Sequence, residues 1–462
     1  MSDPATPAPT PAPGGAPKFD PTAEHMVRPK LRRVRGFPMP VQNQQGQRGV
    51  MLGIADAQQI SPKVVVTQPA VQMILPRMDG TKALDQIVSE VGRGLTTEFM
   101  QQLVAQLDDA GLIEGPVFRQ MRDKMRADFD ASENLPPGAT AQFADILVVQ
   151  EFGKETTEDQ KAEHGPRKLR EQFDKWIDEA LKNAEKPAFD ELPKAVVAPH
   201  LDYPRGWLNY AHVYGRLRVA DRPDRIVVLG TNHFGESTGV VACNKGYETP
   251  LGIVPCATDL LGKLREHLGA DLGEKLLEHR FDHEREHSIE LHVPWIQHCI
   301  GADDAGNPCP VLGVLVHDPS VNNGESYDGN GVALEPFVAA LKAAIADLPG
   351  RTLVVASTDL SHVGPAFGDQ RKLLGDEPDA KEFREGTVRH DQEMLKMVVE
   401  NRPEELVGSM AWQQNPTRWC SIGNLVATLQ VVEPESVELL NYMAAVDQQG
   451  AGMVSSVAMV MR

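Results

Sequence analysis

Cysteine is scarce in this sequence, and its spacing excludes several kinds of site. The 462 residues include 5 cysteines, none of which forms a Cys-x-x-Cys pair: Cys243, Cys256, Cys299, Cys309 and Cys420. An odd and low number of cysteines without paired spacing is typical of free thiols in a reducing compartment. This pattern disfavours a disulfide framework and a structural zinc site built from cysteines alone, and we expect a cytoplasmic protein.

The sequence also lacks the features of membrane and secreted proteins. No apolar run approaches the roughly 18 residues that a membrane span needs. The start Met1-Ser-Asp-Pro has neither the basic region nor the apolar region of a signal peptide. Because 65 Asp and Glu outnumber 46 Lys and Arg, the formal charge of −19 argues against nucleic acid or an anionic membrane as a partner.

The composition, with 41% hydrophobic and 24% charged residues, is typical of a globular protein, and the length predicts two domains or more. Four segments follow from changes in pattern. They are a disordered Pro/Ala-rich tail over 1–27, a small domain over 28–118, a charged helical connector or lid over 119–193, and a large domain over 194–462.

The small domain carries two predicted amphipathic helices. Thr81 is the expected cap of the first helix, and the second is expected to begin at Thr96 or Thr97 and to end at Ala110-Gly111. Leu112-Ile113 would then begin a short strand or wing, so the segment is similar to a winged helix.

From Asp79 to Ile113 the small domain resembles the pyrroloquinoline-quinone biosynthesis protein D family, whose small winged helices hold peptides. The resemblance implies a peptide or protein ligand; a packing or dimerisation module is the alternative. DNA binding is disfavoured because the second helix carries Glu98, Asp108 and Asp109 and no basic cluster.

The large domain alternates short apolar runs with longer helical stretches. Such runs are typical of strands buried on both faces, which predicts an α/β fold with a central, mostly parallel sheet covered by helices on both faces. The runs are Ala195–Ala198, Arg225–Leu229, Val311–Val316 and Thr352–Ala356, with two late strands near Val437 and Val460.

Polar residues follow three of these strands. His200 ends the first strand and His233 the second, and the strand at Thr352 leads into Asp359 and His362. Because ligands of such sheets bind at the carboxyl edge of the strands, we expect these side chains to share one site. A single histidine in this position would instead be read as a loop or core residue.

Two further segments carry candidate groups. His287 and Glu290 would share a face of one helix and line the site, although Glu290 could equally cap and pair locally. Cys420 stands just before a predicted helix, whose positive end favours the thiolate, a ligand of iron, copper or zinc. The other four cysteines are interpreted as small buried hydrophobes.

Five segments together resemble, in order and spacing, the MEMO family. They are Ala198-Pro-His200, Leu229-Gly-Thr-Asn-His233, Glu286-His-Ser-Ile-Glu-Leu-His292, Ser357-Thr-Asp359-Leu-Ser-His362 and Cys420-Ser-Ile-Gly423. That family is similar to the class III extradiol dioxygenases, which hold non-haem Fe(II) with two histidines and a glutamate.

The resemblance implies that His200 and His233 are metal ligands and that Cys420 replaces the carboxylate ligand. It also implies that His362 is the acid/base histidine and Asp359 a further site residue. One departure is Leu201-Asp202-Tyr203-Pro-Arg205, where the family usually has Ala-Gly-Tyr; Asp202 and Arg205 would bind a different ligand or form an ion pair at the rim.

These residues predict a metal-dependent redox enzyme with Fe(II), although copper or zinc would also suit the ligands. The alternatives are a non-catalytic iron- or copper-binding accessory protein and a zinc-dependent hydrolase-like site. The resemblance of this architecture to protein B of the AmmeMemoRadiSam system further implies radical-SAM and AMMECR-type protein partners.

Overall fold

The computed structural model describes residues 17–42, 48–92, 94–375 and 377–462. The chain packs as two compact units, Met1–Asp128 and Phe129–Arg462. Most of the predicted disordered tail therefore lies outside the described residues. Its last part does not, because Met26 is buried in the core of the first unit, which begins before residue 28.

The first unit is a three-stranded antiparallel sheet followed by helices. Its elements are α1 (Glu24–Val27), β1 (Val34–Gln42), β2 (Arg48–Asp56), β3 (Val64–Thr67), 3₁₀ turns at Pro69–Met73 and Leu75–Arg77, α2 (Leu84–Val91), α3 (Thr97–Asp109) and α4 (Pro116–Ala131). Ile54, Ile87 and Leu107 are fully buried between the sheet and the helices.

Both predicted helices of this unit are present, but the cap of the first helix and the wing differ from the prediction. Thr96 caps α3 as expected, since its hydroxyl accepts from the Phe99 amide at 3.2 Å. Thr81 does not cap α2, because its amide and hydroxyl both bond to Asp79. Ile113 makes only an isolated bridge to Leu31, so β1 to β3 precede α2, α3 and α4 and none of these strands follows them.

The second unit holds the remaining elements. The strands are β4 (Asn134–Leu135), β5 (Ala195–Ala198), β6 (Arg225–Thr231), β7 (Val241–Ala242), β8 (Gly246–Thr249), β9 (Gly252–Val254), β10 (Val311–Val316), β11 (Thr352–Ser357), β12 (Asp359–Val363), β13 (Val437–Val446) and β14 (Met453–Met461). The helices are α5 (Ala139–Phe152), α6 (Glu158–Leu181), α7 (Tyr203–Leu217), α8 (Thr258–Glu278), α9 (His287–Glu290), α10 (Val293–Cys299), α11 (Leu334–Asp347), α12 (Pro378–Val399), α13 (Pro403–Gln413) and α14 (Ile422–Val432), with 3₁₀ turns at Arg280–Arg285 and Pro365–Phe367.

The main sheet of this unit is mixed rather than mostly parallel. Its four inner strands, in the order β5-β11-β6-β10, are mutually parallel. The flanking strands are antiparallel: β7 pairs with β10, and β14 pairs with β5, β12 and β13. The four strands predicted from the apolar runs are therefore parallel to one another, and the two late strands, β13 and β14, complete the sheet as antiparallel strands.

Helices cover both faces of the sheet because alternate strand residues enter different cores. Val197 and Leu229 pack into one core with α8, α11 and α14, whereas Val196 and Val228 pack into the other with α6, α7 and α10. Every residue of β5 and β10 is buried, which explains why these strands read as uninterrupted apolar runs.

From Phe129 onward, the segment predicted as a connector over 119–193 belongs to the second unit, and its first ten residues belong to the first unit. In α6, Phe173 is fully buried, and its ring stacks on Trp295 of α10 at 3.9 Å between centroids. The helix runs through Pro166 and is longer than the predicted stretch from Arg167 to Asn183. Among the described residues, the helices that are long enough to span a bilayer are too polar to do so.

Candidate metal centre

Three side chains from distant parts of the chain meet at the carboxyl edge of the parallel strands. His200 follows β5, His233 follows β6, and Cys420 precedes α14. His200 Nε2 lies 3.3 Å from Cys420 Sγ, and one ring nitrogen of each histidine and the sulfur all lie within 4.8 Å of one another. The structure thus brings the two strand-end histidines close to the thiol that precedes α14.

The tautomer of His200 is set by a serine. Ser357, the last residue of β11, donates its hydroxyl hydrogen to the Ser288 carbonyl at 2.5 Å. The same oxygen, 2.9 Å from His200 Nδ1, must therefore accept from the Nδ1–H. This leaves the Nε2 lone pair facing Cys420, and burial lowers the pKa of His200 well below its usual value, which keeps the ring neutral.

His233 is held by a buried carboxylate, Glu286. Glu286 accepts from the His233 amide at 2.7 Å and from His233 Nδ1 at 3.0 Å. Burial opposes its charge, but His233 outweighs burial and lowers the pKa of Glu286 to about 2. Burial likewise opposes a charge on His233, yet Glu286 and Cys420 raise its pKa well above 6.5, so the ring must release a proton to bind a cation.

Asp359 and His362 lie on the same side of the sheet, in β12. Asp359 Oδ1 accepts from the His200 amide at 3.2 Å, and Oδ2 lies 3.7 Å from His200 Nε2. This contact arises because β5 pairs with the last residues of β14 and β12 with its first residues, which puts β12 just beyond the end of β5. Burial raises the pKa of Asp359 to about 7.

His362 is half-buried, and its ring lies edge-on to Phe367 at 5.2 Å. Its Nδ1 donates to the Leu360 carbonyl at 2.9 Å. Burial lowers the pKa of His362 to about 4, so the imidazole is neutral near pH 7. Its Nε2 is then the nitrogen that can accept a proton.

His287 joins the cluster and Glu290 does not. The ring of His287 stacks on that of His233 at 4.8 Å, and its Nδ1 lies 3.3 Å from Glu286. Glu290 faces the other way: its carboxylate accepts from the backbone amides of Gly138, Ala139 and Thr140 and from the Thr140 hydroxyl, at 2.5 to 3.1 Å. Glu290 therefore caps α5, a helix about 150 residues away in sequence, rather than lining the site or capping and pairing locally.

The backbone around Cys420 is fixed by close packing. Thr231 Oγ1 donates to the Cys420 carbonyl at 3.0 Å, and Asn424 Nδ2 donates to Thr231 Oγ1 and to the Ser357 carbonyl. A Cβ on Gly423 would lie 2.1 Å from the His317 carbonyl oxygen, so only glycine allows α14 to approach β10 this closely.

Strand-end position alone does not define the site, because His317 also ends a parallel strand and bonds instead to Gly324.

Asp202 and Arg205, which depart from the usual family tract, form an ion pair at the start of α7. The Asp202 carboxylate accepts from the Arg205 amide at 3.2 Å and pairs with the Arg205 guanidinium. Both side chains are half-exposed, as expected for a pair at the rim.

The donor set suits a transition metal. Two imidazole nitrogens and a sulfur offer the intermediate-to-soft ligands that iron, copper and zinc accept. Glu286 and Ser357 occupy the outer nitrogens of the two rings, which is the arrangement that orients metal-bound histidines in proteins. Sequence reasoning gave neither residue a role, although each is the first residue of a segment that resembles the MEMO family.

A family model described as Memo-like protein matches residues 161–460, more than half of the chain. The chain belongs to the Memo family. The match begins inside α6, so the family domain includes part of the predicted connector.

Several MEMO1 family proteins of archaea are similar to this Memo family chain. One from Methanopyrus kandleri is 26% identical over 292 residues, which cover 62% of this chain and 89% of that protein. Two others, from Saccharolobus islandicus and Desulfurococcus amylolyticus, are 33% and 32% identical over 172 and 184 residues. These two matches cover 37% and 38% of this chain, and 53% and 56% of the relatives' own length.

Proposed function

We propose that His200, His233 and Cys420 bind one Fe(II) ion and that the protein is an oxygen-dependent redox enzyme. The observation that carries the proposal is the pairing of His200 Nδ1 with Ser357 and of His233 Nδ1 with Glu286. With both outer nitrogens engaged, the two inner nitrogens and the Cys420 sulfur are left as ligands. Copper or zinc would suit the same atoms.

Bound iron would supply open coordination positions for dioxygen and substrate. Two residues near the metal site, His362 and Asp359, would bind and release protons. His362, neutral near pH 7 and held at Nδ1 by Leu360, takes a proton from a substrate hydroxyl at Nε2 and later returns it. Asp359, whose pKa burial raises to about 7, changes its protonation within the working pH range and so balances charge beside His200.

His287 and Phe234 form one wall next to His233. The ring of Phe234 lies 5.6 Å from His287 and 5.8 Å from His233. A second aromatic ring, Phe367, lies against His362. The half-buried ring of Phe234 and the exposed ring of Phe367 favour an aromatic substrate such as a catechol, which can pack between apolar faces while its hydroxyl groups reach the polar centre.

The test is the metal content of anaerobically purified protein, followed by dioxygen uptake with a catechol. The wild type is compared with His200→Ala and Cys420→Ala, and Cys256→Ala serves as a control because this half-buried cysteine contacts the Cys243 carbonyl instead. We expect near-stoichiometric iron in the wild type and the control, and loss of iron in the two site variants.

The outcomes separate the alternatives. Bound iron without dioxygen uptake would favour a non-catalytic metal-binding accessory protein. Bound zinc with hydrolase activity would favour the hydrolase-like alternative. A wild type that takes up none of iron, copper or zinc would refute the metal site itself.

Partner proteins are a second part of the proposal. The first unit has its own core, and we infer that it is a winged-helix-type module that binds a peptide or protein, with radical-SAM and AMMECR-type proteins as the expected partners. Affinity purification of the tagged full chain together with such proteins tests this idea. Failure of both to co-purify with it would count against the partnership and leave the metal site unaffected.

A further inference from the structure

A buried carboxylate outside the metal centre collects four hydrogen bonds. Asp391, on α12, is fully buried. Its Oδ1 accepts from Ser361 Oγ at 2.5 Å and from Trp419 Nε1 at 2.7 Å. Its Oδ2 accepts from the Tyr442 hydroxyl at 2.7 Å and from Ser455 Oγ at 2.5 Å.

All four donors of this cluster are uncharged. Together they use the four or so lone-pair positions that a carboxylate offers, so the buried group is satisfied without a cation. Among the described residues, no lysine or arginine forms an ion pair with Asp391. A buried carboxylate that is hydrogen-bonded only to neutral donors is stable only when those donors are well placed. The same hydrogen bonds hold the four donor side chains in position.

Two of the donors adjoin residues of the metal centre. Trp419 immediately precedes Cys420, and Ser361 immediately precedes His362. The two donors also bond to each other, since Trp419 Nε1 lies 3.2 Å from Ser361 Oγ. One carboxylate oxygen therefore ties the segment of the thiol to the segment of the acid/base histidine.

The backbone of both segments is irregular where Asp391 holds it. The pairing of β12 with β14 shifts register between Asp359 and His362, so the ladder is interrupted where Ser361 lies. Before Cys420, Arg418 has a φ of 57° and the chain is not helical until α14. One backbone hydrogen bond joins the two segments, from the His362 amide to the Thr417 carbonyl at 2.7 Å, and Arg418 Nε also donates to the His362 carbonyl. The side-chain bonds to Asp391 add a connection through the residues that immediately precede His362 and Cys420.

We propose that Asp391 is a positioning residue that sets Cys420 and His362 relative to each other, acting through Trp419 and Ser361. This inference rests on the proposed role of Cys420 as a metal ligand. Asp391 itself does not contact the metal ligands; its effect passes through two neighbouring side chains.

The experiment is a titration of the metal-free full chain with Co²⁺, followed by the thiolate-to-cobalt charge-transfer absorption. Asp391→Ala removes the acceptor that Trp419 and Ser361 share. We therefore expect the affinity for Co²⁺ to fall about tenfold to a hundredfold and the charge-transfer band to change. In Asp391→Asn the amide oxygen can still accept from Trp419 and Ser361, while its NH₂ donates to the two hydroxyl groups on the other side. We therefore expect rescue of affinity and spectrum.

Met394→Ala is the matched control for simple loss of stability. Met394 lies three residues further along the same helix and is buried in the adjoining core. We expect this variant to unfold at a lower temperature with wild-type Co²⁺ affinity and spectrum. Equal losses in Met394→Ala and Asp391→Ala, or a wild-type spectrum and affinity in folded Asp391→Ala, would overturn the inference.

A second readout separates this inference from the proposed function. In metal-free protein we would measure the alkylation rate of Cys420 by iodoacetamide, resolved from the other cysteines by mass spectrometry. Asp391→Ala should change that rate and Asp391→Asn restore it. If the wild type binds no Co²⁺, the metal proposal fails, and an unchanged alkylation rate would then refute the positioning role independently.

If Asp391→Ala does not fold, two single-donor variants replace it. Trp419→Phe removes the donor next to Cys420, and Tyr442→Phe removes one donor from the opposite oxygen. Only Trp419→Phe is expected to change the cobalt spectrum and the alkylation rate. Equal behaviour of the two variants would overturn the inference.

Discussion

Replacing Glu286 with glutamine tests how His233 is held in the candidate metal centre. The carboxylate accepts hydrogen bonds from three N–H groups, and a glutamine amide can accept only some of them. Glu286 Oε1 receives His233 Nδ1 and the Ser288 amide, and Oε2 receives the His233 amide. Glutamine has one acceptor oxygen and one NH₂ group. In either orientation, therefore, a donor faces a donor.

The magnitude follows from the better of the two orientations. With the amide oxygen at the Oε1 position, His233 Nδ1 and Ser288 keep their acceptor, and the NH₂ group opposes the buried His233 amide. An unsatisfied buried donor costs about 1–3 kcal/mol of stability. The loss of the carboxylate behind a metal-binding histidine typically lowers metal affinity about 10–100-fold, which corresponds to roughly 1.4–2.7 kcal/mol.

Glu290→Gln is the matched control, since both carboxylates are buried and lie four residues apart. Glu290 serves the N-terminus of α5, so its replacement should lower stability without changing metal affinity. The assay is competitive titration of Co²⁺ or Zn²⁺ against a chelator, together with urea unfolding of the metal-free proteins. Wild-type affinity in Glu286→Gln, or an equal loss in Glu290→Gln, would refute the role that the geometry gives to Glu286.

Three further predictions follow from single contacts. Ser357→Ala removes the acceptor that holds His200 Nδ1–H, and we expect metal affinity in the same titration to fall about tenfold. Gly423→Ala would place a Cβ 2.1 Å from the His317 carbonyl oxygen, so α14 must shift; a lower melting temperature and weaker Co²⁺ binding are expected, and wild-type values for both would contradict the packing argument. Burial lowers the pKa of His292 to about 3. Between pH 3 and about 6.5, His292 therefore binds a proton in the unfolded chain but not in the folded chain, so the free energy of unfolding must fall as the pH drops through this range. His292→Phe should flatten that slope by up to about 1.4 kcal/mol per pH unit in urea unfolding at several pH values, and an unchanged slope would refute the assignment.

The two histidines of the candidate metal centre could be predicted because strand burial and strand end are both visible in the sequence. An apolar run with no polar interruption has to lie inside the sheet, and the first polar residues after it have to lie at its carboxyl edge. His200 and His233 follow from this rule, whereas His317 obeys it without joining the cluster. The difference is made by the loop after each strand, which local pattern does not describe.

The supporting carboxylates could not be predicted in the same way. Glu286 and Glu290 stand four residues apart in one short segment, and helical periodicity gives both of them the same face. Helix α9 contains only His287–Glu290, so Glu286 is its N-cap and the periodic argument does not apply to it. Glu286 consequently turns back to His233, and Glu290 reaches α5, more than a hundred residues away in sequence.

Asp391 extends this argument to the whole centre. It lies in the middle of a charged, exposed-looking helix, α12, where an aspartate would be assigned to solvent, yet the structure buries it among Ser361, Trp419 and two further donors. The candidate ligands lie on short, irregular segments that side chains from other elements contact: Ser357 bonds to His200, Glu286 bonds to His233, and Asp391 bonds to Trp419 next to Cys420. Ser357 and Glu286 share a partner, because Ser357 Oγ donates to the Ser288 carbonyl and Glu286 accepts from the Ser288 amide. The effects of Ser357→Ala and Glu286→Gln on Co²⁺ affinity are therefore expected to be non-additive in a double-mutant cycle, and additive effects would mean that the two histidines are positioned independently.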